Sequence, residues 1–320
     1  MRKFTVTEKL DNEHVVKACR EAFPGLRSAD LYRALKHKDI RIDGRKTSSD
    51  IAVRAGQVVE VWLPDAVFEK ENSPGASPAK DNRPVYAKVY ESDRLLIVNK
   101  RQGVAVHSGR NTGDINLIDA VRRDLRDPEA DLCHRIDMNT GGLVMIAKDK
   151  EALEDAVALF RNNLVTKRYR ALVMGVPQDG EPVICSDDTV MREVSAYLEK
   201  TPNGSVYIHD IKQDGDVSVI SRYRVLNTYG DISDIEVELV TGRTHQIRAQ
   251  FAHMGHPVVG DGLYGRARDN NALKAPDGSK IRYQQLFAST LILGKIPPDN
   301  CHHGLSGRRF SLNPEFGVKL

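Results

Sequence analysis

The sequence predicts an α+β protein, a mainly antiparallel mixed sheet preceded by a smaller α+β unit, on three observations. Short apolar runs and stretches of strict alternation recur along the chain, whereas helical spacing holds in only a few windows. Turn residues punctuate these segments at close intervals, which favours many strands joined by short connections. The basic charge is unevenly placed: residues 1–64 hold 13 Lys/Arg against 9 Asp/Glu, while the whole chain carries only +3. An excess confined to the first fifth points to an electrostatic docking unit joined to a near-neutral body.

The elements follow in order. Ser28 can cap a helix whose apolar face is Leu31 and Leu35, with Arg33, Lys36 and Lys38 on or near its outer side. Ile40-Arg41-Ile42 then meets Asp43-Gly44, a hairpin signal, and alternation through Val59, Val61 and Leu63 closes the unit near Pro64. From Arg27 to Lys46 there are seven Lys/Arg against three Asp, which fits either a solvated helix face or a polyanion-binding one. Residues 65–84, rich in Pro, Ser, Gly and charge, read as a linker.

Beyond it, Arg94 to Lys100 reads as a buried strand, and residues 114–126 as a helix with Leu117, Ile118, Val121 and Leu125 inward, capped by Asp114 or Asn116. Leu143 to Ala147 is a second buried strand. Asp149 caps an amphipathic helix carrying Leu153, Ala156, Val157, Phe160 and Leu164, a face that reads as core. Ala171 to Met174 is a further strand. Residues 177–234 look irregular, with short strands between turns, and Ile235, Val237 and Leu239 alternate with Glu236 and Glu238 as a half-exposed strand.

Several classes are excluded. No window approaches the ~18 apolar residues a membrane span needs, and the N-terminus carries charges without an apolar run behind them, so the expectation is a cytoplasmic protein with no membrane partner. Cys19, Cys133, Cys185 and Cys301 lie far apart with no C-x-x-C, so neither a disulfide framework nor a zinc knuckle is expected. His253 with His256, and Cys301-His302-His303, follow no usual zinc pattern, and no metal is expected. Gly260 to Gly265 matches G-x-G-x-x-G, but the polar, glycine-broken stretch after it offers no helix for a pyrophosphate, so a dinucleotide site is rejected.

Two clusters remain. His134-Arg135-Ile136-Asp137-Met138-Asn139-Thr140-Gly141-Gly142 packs polar side chains and a double glycine ahead of a buried strand. Asp137 there is either a turn former or a carboxylate with a counter-ion and room for a substrate. In the second cluster, Thr241 to Arg248, Thr244 can cap a helix with Ile247 and Phe251 inward and Gly255 at its end. Arg243 then stands at the helix entrance, where it would pair with Asp137 or with backbone carbonyls.

These blocks carry resemblances. FPGLRSADLYRALKHKDIRIDGRK, followed by a G-Q-V-V-E-V strand, resembles the alpha-L (S-four type) RNA-binding module, although its start at His14 to Cys19 departs from the usual pattern. That resemblance implies phosphate contacts from Arg27, Arg33, Lys36, Arg41, Arg45 and Lys46. RLLIVNKRQGVAVH, HRIDMNTGGLVMIAKD, KRYRALVMG and TGRTHQIRAQFAHMGHPVVGDGLYG, in this order, resemble an RluA-type pseudouridine synthase over roughly residues 86–293. The implied organisation is an RNA-binding module at 1–64, a linker at 65–84 and a synthase domain at 85–320.

The second resemblance implies an isomerase that needs no cofactor and acts on structured RNA, ribosomal RNA in preference to transfer RNA; a monomer is expected. Asp137 matches the catalytic aspartate, Arg135 the arginine that fills the stack left by the target base, and Tyr169 the tyrosine that stacks on that base. Arg243 matches the arginine paired with the aspartate and Ile247 an apolar lining residue; His134 is placed with the RNA-contacting residues. A stacked uridine has to be flipped out to be reached, and the flipped base wants an aromatic face. Asp137 could then act as nucleophile or as base. The glycine pair is expected to let the flipped uridine approach the backbone. Gly141 stands where the family usually has Ser, Arg101 and Ser108 replace prolines, and Phe287 replaces a His. The contrasting readings are an RNA-binding or ribosome-assembly factor without turnover, against which Asp137, Tyr169 and Arg243 argue, and a metal-dependent hydrolase, for which no ligand cluster can be assembled.

Overall fold

The computed structural model describes residues 1–23, 26, 28–63, 68, 83–108, 115–201 and 204–320, without the side chains of residues 28 and 29. Arg27, Asp114 and nearly all of the stretch read as a linker lie outside the described residues. The chain divides into two compact units, Met1–Asn82 and Arg83–Leu320.

In the first unit, β1 (Arg2–Thr5), α1 (Val15–Ala22), α2 (Ser28–Lys36), β2 (Ile40–Ile42), β3 (Arg45–Thr47) and β4 (Val58–Val61) build a sheet in the order β1-β4-β2-β3 with two helices. The Asp43-Gly44 turn joins β2 to β3 with both residues at positive φ, 50° and 77°, the geometry that matches strand twist in a tight hairpin. Leu31 and Leu35 are buried as their spacing predicts, while Arg33, Lys36, Arg45 and Lys46 are exposed. Phe68, inside the stretch read as linker, belongs to this core: it is buried and meets Phe23 edge to face at 5.4 Å.

The second unit contains β5 (Tyr86–Glu91), β6 (Leu95–Lys100), α3 (Leu117–Leu125), β7 (Asp131–Leu132), β8 (Gly141–Ala147), α4 (Lys150–Arg161) and β9 (Val165–Met174). It continues with β10 (Glu181–Ile184), β11 (Val190–Lys200), β12 (Val206–His209), β13 (Val217–Tyr229), β14 (Ile232–Leu239), α5 (Gln246–His253), α6 (Ala267–Ala272), β15 (Leu286–Leu293) and β16 (Arg309–Ser311). The main sheet runs β10-β11-β13-β14-β9-β15-β8-β6-β5, with β12 on β11, β16 on β15 and β7 on β8. Neighbours are antiparallel except β8 and β15. The α+β expectation is borne out.

The apolar runs of β6 and β8 have a direct cause. Val98, Val144 and Ile146 face α3 through Leu117, Ile118 and Val121, whereas Ile97, Leu143 and Met145 face α4 through Ala152, Ala156 and Leu159. A strand covered on both sides has no polar face to show. Asn116 and Asp149 cap α3 and α4 by accepting the backbone N–H of Asp119 and Ala152.

Two expectations fail in the middle of the chain. Residues 177–234 hold two short strands of four residues, β10 and β12, as expected, but also two long ones, 11 residues in β11 and 13 in β13, in place of irregular chain. And β14 is buried on both faces: Asp234, Glu236 and Glu238 are enclosed because arginines from neighbouring strands satisfy them. Arg168 Nε donates to Glu238 Oε2 at 2.9 Å, Arg224 Nε to Glu236 Oε2 at 2.9 Å, and Arg170 Nε to Asp234 Oδ1 at 2.8 Å. Alternation of acids with aliphatics reads the same whether water or an arginine row covers the polar side.

Candidate active site

The loop between β7 and β8 is fixed before any substrate arrives. Lys100, at the end of β6 and 1 % exposed, donates to the carbonyls of Arg101, Val104 and Met138 at 3.0, 2.6 and 3.0 Å. Burial pulls its ammonium down to about 7, opposed by the Asp137 carboxylate. Gly103 N–H also reaches Met138 O at 3.0 Å, Gln102 Nε2 donates to Asn139 O at 3.1 Å, and Gln284 Nε2 donates to Thr140 Oγ1 at 2.8 Å. Asp137 thus stands on a turn whose next three residues are tied to two other segments.

The glycines that follow have a packing role. At Gly142, φ is 109° and a Cβ would lie 2.2 Å from the Ala288 carbonyl oxygen, so β8 can approach β15 only as glycine. At Gly141 a Cβ would lie 2.7 Å from the Phe287 ring. Both are buried in β8, so the expected approach of a uridine to this backbone is replaced by strand-to-strand contact.

Asp137 pairs with Arg248, not with Arg243. Arg248 Nη1 donates to Asp137 Oδ2 at 3.0 Å, and the other face of the guanidinium grips Asp261, Nε to Oδ2 at 2.6 Å and Nη2 to Oδ1 at 3.0 Å. Asp261 is fully buried; burial alone would raise its carboxyl, but Arg248 holds it below the usual range, helped by N–H donors from Tyr264 and Leu263. The Gly260 to Gly265 segment therefore wraps a carboxylate. A helix does follow it, but α6 is only six residues long.

The local sequence explains the exchange of arginines. Thr244 does not cap the helix; His245 occupies that position in a left-handed backbone, φ 53° and ψ 17°, and makes no cap bond. Gln246 orders the turn instead, its Oε1 accepting from Thr241 Oγ1 at 2.9 Å and Arg243 N at 3.0 Å, and its Nε2 donating to Ile220 O at 3.0 Å. This leaves Arg243 exposed ahead of the helix and turns Arg248, in the first turns of α5, toward Asp137.

A cavity of about 90 Å³ opens beside this carboxylate, with Arg135, Tyr169, Lys167, Arg243, His245 and Ile247 among its walls. Tyr169 is buried, and burial together with the Asp137 charge raises its phenol, so it stays neutral. Arg135 is exposed at the rim, and Ile247 is buried. Asp137 Oδ1 has no hydrogen-bond partner among the described residues, whereas Oδ2 is held.

The structure thus gathers Asp137, Tyr169, Arg135, Ile247 and Arg243 around one cavity. His134 does not join them. Its Nε2 accepts from Met145 N at 3.0 Å, its ring lies 4.7 Å from Phe160, and burial pushes its pKa down to about 3, so it stays neutral and supports β8. Lys36, Arg33, Arg45 and Lys46 are exposed on the first unit, and Arg41 lies half-buried with its guanidinium 4.8 Å from the Trp62 ring. Sequence reasoning missed Arg248, Asp261, Lys100 and Gln246. The usable signal was a polar residue bounded by apolar ones: Lys100 closes an aliphatic strand, and Asp261 follows Val258-Val259-Gly260.

Residues 94–253 match the family model described as RNA pseudouridylate synthase. The chain belongs to the RNA pseudouridylate synthase family. Within it, the chain is 33 % identical over 268 residues to "Ribosomal large subunit pseudouridine synthase C" of Vibrio cholerae, covering 82 % of this chain and 80 % of that one. It is 30 % identical over 227 residues to "Ribosomal large subunit pseudouridine synthase D" of Pseudomonas aeruginosa, covering 70 % and 66 %. Among solved structures, the human RNA pseudouridylate synthase domain containing 1 aligns with a TM-score of 0.55 and 26 % identity, over 72 % of this chain and 83 % of that one. The RluA-type assignment is therefore borne out, and the protein is an RNA-acting pseudouridine synthase, an isomerase. The family match contains Asp137, Tyr169, Arg243 and Arg248 but stops short of Asp261. No helix among the described residues is long and apolar enough to cross a membrane.

Proposed function

We propose that this synthase converts specific uridines of large-subunit ribosomal RNA to pseudouridine, with Asp137 as its catalytic carboxylate. The observation that carries the reading is the setting of that side chain: Oδ2 is bonded to Arg248, Oδ1 has no hydrogen bond among the described residues, and Asp137 lines the same cavity as Tyr169. The flipped uracil stacks on Tyr169, Arg135 fills the gap left in the RNA, and Oδ1 attacks the ribose as nucleophile or removes one of its protons as base. Breaking the glycosidic bond and rejoining the base through carbon 5 leaves composition unchanged, so the reaction needs neither redox partner nor cofactor. Arg243 serves as a contact to the RNA strand at the cavity mouth. The names of the bacterial relatives favour ribosomal over transfer RNA.

The first unit supplies phosphate contacts through Arg33, Lys36, Arg41, Arg45 and Lys46, as an alpha-L module would, with Arg27 as a further candidate. A cytoplasmic monomer fits this work. Pseudouridine mapping of total RNA from cells with and without the protein tests the substrate. Sites in large-subunit ribosomal RNA that vanish without it support the reading, and a loss confined to transfer RNA overturns the choice of substrate. Charge reversal at Lys36 and Arg45 is expected to weaken binding and flatten its salt dependence. An unchanged slope removes the docking role.

A further inference from the structure

His245 faces the one catalytic carboxylate and has no part in the scheme above. Its Nε2 lies 3.9 Å from Asp137 Oδ2, and its Nδ1 lies 3.0 Å from the Tyr264 hydroxyl. That hydroxyl already accepts the backbone N–H of Val206 at 3.0 Å. Its own proton is therefore free to go to Nδ1, which leaves the imidazole hydrogen on Nε2, pointing at Asp137. The reverse tautomer would set an Nε2 lone pair against a carboxylate. The backbone also bears on this ring: His245 sits at the N-terminal cap of α5 in a left-handed conformation without making a cap bond. Such a conformation is strained for a residue with a Cβ and persists only where the surroundings enforce it.

We propose that His245 is a positioning residue for Asp137. Oriented by Tyr264, its Nε2–H gives Oδ2 a second donor beside Arg248, so that only the lone pairs of Oδ1 meet the ribose. The 3.9 Å gap closes when the target nucleotide fills the cavity and expels water, since such bonds are commonly long before substrate binds. The charged and titratable groups facing His245 are Asp137 on the loop before β8, Arg248 on α5, and Asp261 and Tyr264 on the segment after α5. His107, Arg135 and Arg243 line the adjoining cleft of about 350 Å³. Burial lowers the His245 pKa from its ordinary 6.5, against the pull of Asp137, which favours the neutral ring whose Nδ1 lone pair can accept from Tyr264.

The inference rests on the proposed role of Asp137, and the test separates the two. Single-turnover pseudouridine formation and RNA affinity are measured across pH for the wild type and for Asp137→Asn, His245→Leu, His245→Gln and Tyr264→Phe. The expectation for His245→Leu is a rate lower by about 10- to 100-fold, the usual cost of losing an orienting partner, with RNA affinity unchanged. His245→Gln keeps an N–H donor and recovers most of the rate. It also loses the acid-side fall expected of the wild type once a second proton on Nδ1 ends its acceptance from Tyr264 and frees the ring to turn. Tyr264→Phe releases the tautomer and slows the reaction several-fold at unchanged affinity. If His245→Leu does not fold, the Gln and Phe variants decide alone. Wild-type rates in the Leu variant, or equal losses in Leu and Gln with the acid limb unmoved, overturn the positioning role while Asp137 stands. An active Asp137→Asn instead overturns the reading on which it rests.

Discussion

Phe287 lies across Gly141 so closely that a Cβ on the glycine would stand 2.7 Å from its ring, and the two are register partners in the parallel pair of β8 and β15. The resemblance to RluA-type motifs leads one to expect Ser and His at these two positions, and in the structure the pair forms one packing unit. The ring takes the space a serine side chain would need. Gly141→Ser is expected to cost about 1–3 kcal/mol through overpacking, and Gly141→Ser with Phe287→Ala to cost less than the two single changes added together. Denaturant melts of the four proteins give the coupling; additive effects would dismiss it.

Arg248 and Arg243 are expected to separate cleanly. Arg248→Met strands the buried Asp261 charge, for which the expected loss is about 3–5 kcal/mol of stability together with activity. Arg243→Ala is expected to stay within about 0.5 kcal/mol of the wild type and to weaken RNA binding. Thermal melts paired with RNA titrations check both, and a strongly destabilised Arg243→Ala would reverse the assignment.

Lys100→Met removes the donor shared by three carbonyls, one of them on the residue after Asp137. Each buried acceptor left without a partner costs about 1–3 kcal/mol, so the variant is expected to melt clearly below the wild type. It is also expected to turn over about tenfold more slowly, through a looser loop, with RNA affinity retained. Normal turnover would show that the loop holds without the lysine.

His134 makes stability fall with acid. Its pKa is about 3 in the folded protein against 6.5 in the unfolded chain, so between these values the unfolded state binds the extra proton. The contribution is fully present above 6.5 and is lost at roughly 1.4 kcal/mol per pH unit as pH falls toward 3. His134→Gln keeps an acceptor for Met145 N–H and is expected to flatten this part of the profile. Chemical denaturation at pH 7 and pH 4.5 measures it, and an unchanged difference between the two would remove the effect.

The sequence makes legible whatever depends on local pattern. The strands β6 and β8, the helices α3 and α4 with the Asn116 and Asp149 caps, and the Asp43-Gly44 hairpin all follow from periodicity and turn chemistry. Asp137, Tyr169, Arg135 and Ile247 were readable because they sit in blocks with a recognisable order. What was hidden depends on contacts across the chain. The arginine row that buries Glu236 and Glu238 comes from other strands, and the choice of Arg248 over Arg243 turns on the left-handed His245 and on Asp261. The glycine pair looked like room for a substrate, but Gly142 meets Ala288, 146 residues further along the chain.

On the proposed function, the Asp137 carboxylate performs the isomerisation. Its most direct test is nucleotide-resolved pseudouridine content of ribosomal RNA from cells that lack the wild-type protein and express Asp137→Asn, alongside RNA affinity of the purified variant. The expected result is unmodified uridine at every position the wild type modifies, with affinity nearly unchanged. Pseudouridine at wild-type levels in the Asn variant would contradict it.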